Sequence, residues 1–205
     1  MDFTPEQRAF LDHVQERMGS VYHQVSLRTH FDLDNEVLTF YLWNMSGQIK
    51  GFLEYKWKAD KVRSNDENGR YRVITEVPVL YGLEFLNENL PYIFLCEGVF
   101  DAFSLMTYGN AVAVLSNEAP HLEEQIALLP GKKIAICDGD KPGLALRKYA
   151  DDYIVCPVGQ DPNSMLRSDL KALLGEYVIE RDFFRDTFRH WWDKQGILLD
   201  DPTGR

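Results

Sequence analysis

The alternation of apolar and polar residues changes near residue 90, and the change predicts two kinds of structure. After Leu90, four short apolar runs alternate with four segments of helical pattern. The apolar runs are YIFLC, AVAVL, KKIAIC and DYIVCP, and the helical segments are VFDAFSLMTY, HLEEQIALL, GLALRKYA and NSMLRSDLKALL. Repeated βα units of this kind predict a parallel sheet covered by helices on both faces.

The first ninety residues follow a different pattern. Residues 4–18 predict a helix, because Thr4 can cap it, Pro5 suits its first turn and an apolar face follows. In NEVLTFYLWNMSGQIKGFLEYKWKA, β-branched and aromatic residues are interrupted at Ser46-Gly47, which predicts a hairpin. A turn at SNDENGR and an extended stretch broken by Pro78 come next. We therefore predict a small mixed α+β subdomain.

These patterns divide the chain into three parts. Residues 1–90 form the mixed subdomain with a basic stretch, residues 91–175 the α/β domain, and residues 176–205 a C-terminal tail. Four aromatic residues of the tail cluster at helical spacing, namely Phe184, Phe188, Trp191 and Trp192, and Phe183 is next to them in the sequence. Core packing explains that cluster most simply, and an exposed surface for a partner protein is the alternative.

Composition limits the kind of protein. The chain has 205 residues and is 45% hydrophobic, enough for one sizeable core or two small ones. It contains no apolar run of about 18 residues, and its start lacks the pattern of a signal peptide, so we expect a cytoplasmic protein with no membrane partner. The three cysteines, which lack C-x-x-C spacing, are expected to be reduced and buried.

The net charge of −10 argues against a surface that binds polyanions everywhere. Basic residues are concentrated in KGFLEYKWKADKVRSNDENGRYR, where acids are interspersed. This basic stretch is either a solvated hairpin or a local contact for phosphate groups.

Acidic residues follow three of the four predicted parallel strands. Glu97 ends the first strand, Asp138 and Asp140 follow the third, and Asp161 follows the fourth. Because the carboxyl ends of parallel strands share one edge of the sheet, these four carboxylates should converge. Hard oxygen ligands grouped in this way bind Mg²⁺ or Mn²⁺. Each acid also has a simpler explanation, as a turn residue or a helix cap.

The order of these motifs is that of a known domain. CEGVFDAFSL, CDGDKPG and the later pair Asp161-Pro162 resemble the Toprim domain, and most closely the catalytic core of bacterial and phage DnaG-type primases. The upstream segments LTFYLWNMSGQIKGFLEY and VPVLYGLEFLN resemble the subdomain that precedes Toprim in that family. The resemblance implies a Toprim-type parallel sheet and metal-dependent synthesis of RNA primers on single-stranded DNA from ribonucleoside triphosphates.

The resemblance also implies roles for individual residues. Three acids would be catalytic, namely Glu97, Asp138 and Asp140. The same three with Asp161 would hold Mg²⁺ or Mn²⁺. Four basic residues would bind nucleotide or template: Lys56, Lys58, Arg70 and Arg72. One departure is Asn163, which stands where the family usually has a further acid.

The resemblance further implies a partner, either a replicative helicase or a separate template-recognition protein, in the cytoplasm of a bacterial or phage-infected cell. Two other functions stay open. A Toprim nuclease would use the same carboxylates with water as the nucleophile. A non-catalytic nucleic-acid-binding module would keep the fold without the chemistry, although clustered like charges have no purely structural use.

Overall fold

A computed structural model of the chain describes residues 3–62, 66–77, 79–116, 121–139 and 143–179. Within these ranges the chain forms two four-stranded sheets and five α-helices. The strands are β1 Thr29–Asp32, β2 Val37–Trp43, β3 Ile49–Lys56, β4 Tyr71–Thr75, β5 Tyr92–Cys96, β6 Asn110–Ala113, β7 Lys132–Cys137 and β8 Asp152–Val155. The α-helices are α1 Pro5–Met18, α2 Tyr22–Ser26, α3 Val99–Met106, α4 Leu122–Ala127 and α5 Arg167–Leu174.

Helix α1 begins where the sequence predicts. The Thr4 hydroxyl accepts a hydrogen bond from the Gln7 backbone N–H at 3.2 Å, and the Gln7 side chain accepts one from the Thr4 N–H at 3.1 Å. This reciprocal pair is a capping box, which satisfies two N–H groups that a helix start otherwise leaves open. Phe10, Val14 and Met18 are buried along one face, and that face fixes α1 against the rest of the fold.

The first sheet has the order β1-β2-β3-β4 and is antiparallel throughout. Strand β2 alternates strictly between buried and half-buried positions, because one face of the sheet packs on the core and the other meets solvent. The predicted hairpin is present as β2 and β3. Strand β1 and helix α2 were not predicted.

The second sheet confirms the predicted parallel α/β architecture. Its order is β6-β5-β7-β8, and each neighbouring pair is parallel. Two of the predicted helices differ in detail. Residues Gly143–Tyr149 form a 3-10 helix, and α5 begins only at Arg167.

The two sheets share one hydrophobic core. The Phe40 ring on β2 lies 5.9 Å from the Phe100 ring and 5.7 Å from the Phe103 ring, both on α3. The boundaries of the three predicted parts stay a prediction, and the aromatic cluster of the tail lies outside the described residues. No helix in the described ranges is long and apolar enough to cross a membrane.

Candidate active site at the carboxyl edge of the parallel sheet

Three of the predicted acids lie where parallel strands end. Glu97 directly follows β5, Asp138 directly follows β7, and Asp161 is in the loop after β8. All three line a single cavity of about 480 Å³, which Asp101 of α3 also lines. The predicted convergence of carboxylates is therefore present for these three residues. Asp140 lies outside the described residues.

The loop after β7 is pressed against the loop after β8, and this contact sets the place of Asp138. A Cβ atom on Gly139 would overlap with the Pro157 carbonyl oxygen, so only glycine fits. The Gly139 N–H donates a 2.9 Å hydrogen bond to the Gln160 carbonyl. The adjacent position of Asp138 is thereby tied to the loop that carries Asp161.

Asp161 caps a turn and not a helix, because α5 begins only at Arg167, and its role as a metal ligand stays a prediction. Its Oδ1 accepts a 2.7 Å hydrogen bond from the Ser164 backbone N–H, which is the geometry of a turn-capping aspartate. Its side chain also lines the cavity. Capping fixes the carboxylate in place without removing it from the site.

Burial and the neighbouring acids raise the pKa of Asp101. Asp101 is only 8% exposed. Burial, with the charges of Asp161 and Asp138 added, raises its pKa from 3.8 to about 8. Such mutual repulsion is the condition that a divalent cation relieves.

The three thiols lie at the carboxyl ends of the strands that precede the acids. Cys96 and Cys137 end β5 and β7, Cys156 directly follows β8, and all three are free and buried. Burial, followed by the charge of Asp138 among its neighbours, raises the pKa of Cys156 to about 12. Protonated thiols of this kind are weak nucleophiles and poor metal ligands, which agrees with the expected structural role.

Cationic side chains line the same cavity. Arg70, one of the four predicted basic residues, lines it, as do Lys61 and Arg17. The Arg70 Nε donates to the Ala59 carbonyl at 2.8 Å, which holds this side chain in place. The Arg17 guanidinium carbon lies 4.0 Å from the centre of the Phe100 ring, as in a cation–π contact.

The other three predicted basic residues do not line this cavity. Lys58 forms an ion pair with Glu36, with 2.6 Å between nitrogen and oxygen, and Lys56 donates to the Glu67 carbonyl. Arg72 lies 3.7 Å from a Glu54 carboxylate oxygen and 3.4 Å from a Glu67 oxygen. Their predicted role in binding nucleotide or template stays a prediction.

Sequence reasoning missed Arg17 as a site residue. It lies in the last turn of α1, where a basic residue favourably meets the helix dipole and attracts no further notice. Its place in the cavity depends on how α1 packs, which the local sequence does not indicate.

The candidate metal ligands agree with Mg²⁺ or Mn²⁺ in their donor chemistry, since all are carboxylates. Within the described ranges, however, no three acidic, histidine or cysteine side chains are grouped closely enough to hold a metal ion by themselves. A complete ligand set would therefore need Asp140 or groups supplied by a substrate.

Comparison with known proteins finds similarity to primases. No protein-family model matches it. A DNA primase of Pasteurella multocida (strain Pm70) is 31% identical over 134 residues, which is 58% of this chain and 23% of that primase. The chain thus matches about a quarter of the length of this relative.

Solved structures show the fold. The E. coli primase catalytic core superposes with a TM-score of 0.62 at 18% identity, covering 98% of this chain and 82% of that one. A DnaG catalytic core superposes with a TM-score of 0.55 at 16% identity, covering 100% of this chain and 81% of that one. A DnaG primase catalytic domain bound to single-stranded DNA has a TM-score of 0.53 at 17% identity, covering 93% of this chain and 75% of that one. The chain has the fold of primase catalytic cores.

Proposed function

We propose that this chain is the Toprim-containing catalytic core of a DnaG-type primase, which makes RNA primers on single-stranded DNA by nucleotidyl transfer. One observation supports this proposal above all. A single cavity is lined both by carboxylates that follow three parallel strands and by the cations Arg17, Lys61 and Arg70. A triphosphate needs both, because its oxygens bind cationic groups directly and bind carboxylates only through a metal ion.

Asp138 and Asp161, together with Asp140, would hold one or two Mg²⁺ or Mn²⁺ ions, and Glu97 would be either a further ligand or the proton acceptor. When bound, the ions would neutralise phosphate charge and stabilise the attacking and leaving oxygens of an in-line displacement. The remaining tasks fall to the chain's own groups. Arg17, Lys61 and Arg70 would bind the phosphates and orient them for reaction.

The proposed reaction joins two nucleotides. The 3′-hydroxyl oxygen of one forms a bond to the α-phosphorus of the next, the bond from that phosphorus to the β-phosphate oxygen breaks, and pyrophosphate leaves. The hydroxyl proton passes to a base, and Glu97 is the candidate because it follows β5 directly and lines the cavity. Apolar residues of the wall, among them Leu53, Val73 and Phe100, would exclude water.

Single-stranded DNA is the proposed template and ribonucleoside triphosphates are the proposed substrates. The DnaG domain solved with single-stranded DNA supports the first of these by its similar fold. A helicase or a separate template-recognition protein is proposed as a partner, in the cytoplasm of a bacterial or phage-infected cell.

The proposal is tested by incubating the chain with single-stranded DNA, four ribonucleotides of which one is labelled, and Mg²⁺ or Mn²⁺. Labelled oligoribonucleotides are the expected product, and they should disappear in Asp138→Ala. The matched control is Glu123→Ala, which removes one carboxylate from an exposed position on α4 and should leave synthesis unchanged. Shortened DNA without labelled product would indicate the nuclease instead.

A further inference from the structure

The side chain of Asn163 connects three separate segments beside the candidate site. Its Oδ1 accepts a 2.8 Å hydrogen bond from the Arg17 Nε of α1. Its Nδ2 donates to the Arg17 carbonyl at 2.9 Å and to the Ser104 hydroxyl of α3 at 3.1 Å. Its backbone N–H donates to Asp101 Oδ1 at 3.2 Å.

These contacts require an amide. Only a group with an acceptor and a donor side by side can accept from the Arg17 Nε and donate to the Arg17 carbonyl together. A carboxylate could accept from the guanidinium but could not donate to the carbonyl. It would also add a negative charge beside Asp101, Asp138 and Asp161, which already repel one another.

The same contacts fix the guanidinium of Arg17. Asn163 holds its Nε, the Tyr71 hydroxyl accepts from its Nη1 at 3.3 Å, and the Phe100 ring lies beneath it. A planar cation held on three sides loses little conformational entropy when it binds an anion.

We propose that Asn163 is a positioning residue, which holds the Arg17 guanidinium in the cavity wall for binding a triphosphate and adds no negative charge of its own. This inference rests on the proposed function and specifies how its substrate is bound. Asn163 does not touch the substrate. It acts through Arg17.

The first test measures triphosphate binding by the full chain without chemistry. With inorganic tripolyphosphate as the probe and EDTA present, Asn163→Ala should weaken binding about tenfold, the effect expected for one lost hydrogen bond to a charged group. Asn163→Asp should weaken binding at least as much, since its carboxylate would neutralise Arg17. Binding by Asn163→Asp at the wild-type level would overturn the proposal.

Arg17→Lys provides a second route to the same answer, because lysine keeps the charge but lacks the Nε–H that Asn163 holds. It should weaken tripolyphosphate binding as much as Asn163→Ala, and the double variant should be no weaker than either alone. Losses that multiply, to about a hundredfold, would show that the two residues act independently and would refute the inference.

Asn110 offers a matched control at a distance from the cavity. It is buried, its Oδ1 accepts from the Asn87 N–H at 2.8 Å, and its Nδ2 donates to the Asn87 carbonyl at 2.8 Å. Asn110→Ala therefore removes the same donor and acceptor pair. It should lower stability but leave tripolyphosphate binding unchanged, and an equal loss of binding would make Asn163 merely structural.

Two further measurements separate this inference from the proposed function. In primer synthesis, Asn163→Ala should raise KM for ATP about tenfold and change kcat by less than about threefold. In NMR spectra, the Arg17 Nε–H should exchange slowly in the wild type and quickly in Asn163→Ala. A wild type that makes no primers but shows the binding and exchange effects would refute the function and keep the inference.

Discussion

Substitution of Asp101 by asparagine should remove a specific loss of stability that the wild type suffers as pH rises. Asp101 Oδ2 accepts from the Gly98 N–H at 3.2 Å, and Oδ1 accepts from the Asn163 N–H at 3.2 Å. Asparagine has nearly the same shape and one acceptor oxygen, but it carries no charge. Asp101→Asn therefore tests the charge with little change in packing.

The size of the effect follows from the Asp101 pKa, which is raised from 3.8 to about 8 by burial and by the neighbouring charges of Asp161 and Asp138. Between these values the folded protein keeps the Asp101 proton while the unfolded chain releases it. The stabilisation is therefore complete below the unfolded pKa and is lost as pH rises towards the folded pKa. Each pH unit in this window lowers the free energy of unfolding by about 1.4 kcal/mol, so the wild type loses roughly 3 kcal/mol of stability from about pH 5.5 to 7.5.

The assay is urea unfolding of both proteins across that pH range, with EDTA present to remove divalent ions. The difference in free energy of unfolding between variant and wild type should grow by roughly 3 kcal/mol in favour of the variant as pH rises. Other groups that titrate in the same range are present in both proteins and cancel in the difference. Parallel pH profiles would refute the claim that Asp101 is held protonated beside its neighbours.

Adding Mg²⁺ in place of EDTA extends the test. If Asp138 and Asp161 bind the ion, their repulsion of Asp101 falls, so its pKa falls and the wild-type profile should flatten. A wild-type profile that is the same with EDTA and with Mg²⁺ would contradict metal binding by these two acids.

Three further predictions concern other residues. Asp138→Ala should abolish primer synthesis, because it removes a candidate metal ligand. Its free energy of unfolding in urea without metal should stay level or rise, because one member of a repelling cluster is removed. Full primer synthesis by this variant would contradict the site. Arg70→Glu should flatten the salt dependence of single-stranded DNA binding. The log–log slope should fall by about 0.7 for each phosphate group that the protein no longer binds. An unchanged slope would remove Arg70 from the interface. Burial raises the Glu84 pKa from 4.5 to about 7, so the wild type should lose stability as pH rises between these values, and Glu84→Gln should not. Urea unfolding of both proteins across this range tests the prediction. The same pH dependence in both would show that Glu84 is solvated.

The acidic residues of the site could be predicted because the topology of the parallel sheet determines where they lie. Parallel strands joined by right-handed crossovers bring their carboxyl ends to one edge, so an acid after each strand joins the others without any knowledge of packing. Glu97, Asp138 and Asp161 all follow this rule. The order β6-β5-β7-β8 makes β5 and β7 neighbours, which places the first two of these acids at adjacent strand ends.

Elements whose conformation depends on distant partners were harder to predict. Strand β1 has only four residues and is defined by its pairing with β2, so its own sequence carries little signal. Helix α5 begins at Arg167, later than its apolar pattern indicates. The intervening Asn163 and Ser164 are engaged with Arg17 and Asp161, and these contacts compete with helix formation.

The position of Arg17 in the site could not be predicted from its local sequence. Arg17 and Asn163 are hydrogen-bonded although 146 positions separate them, and the local sequence of neither residue indicates this contact. A last-turn arginine and an asparagine after a proline each have a sufficient local explanation, in the helix dipole and in turn formation. Their joint position is set by the burial of Phe10, Val14 and Met18, which brings α1 against the core shared by both sheets. Arg17, which we propose to bind the triphosphate, is therefore positioned by the apolar face of α1, and a substitution in that face should weaken tripolyphosphate binding as well as lower stability.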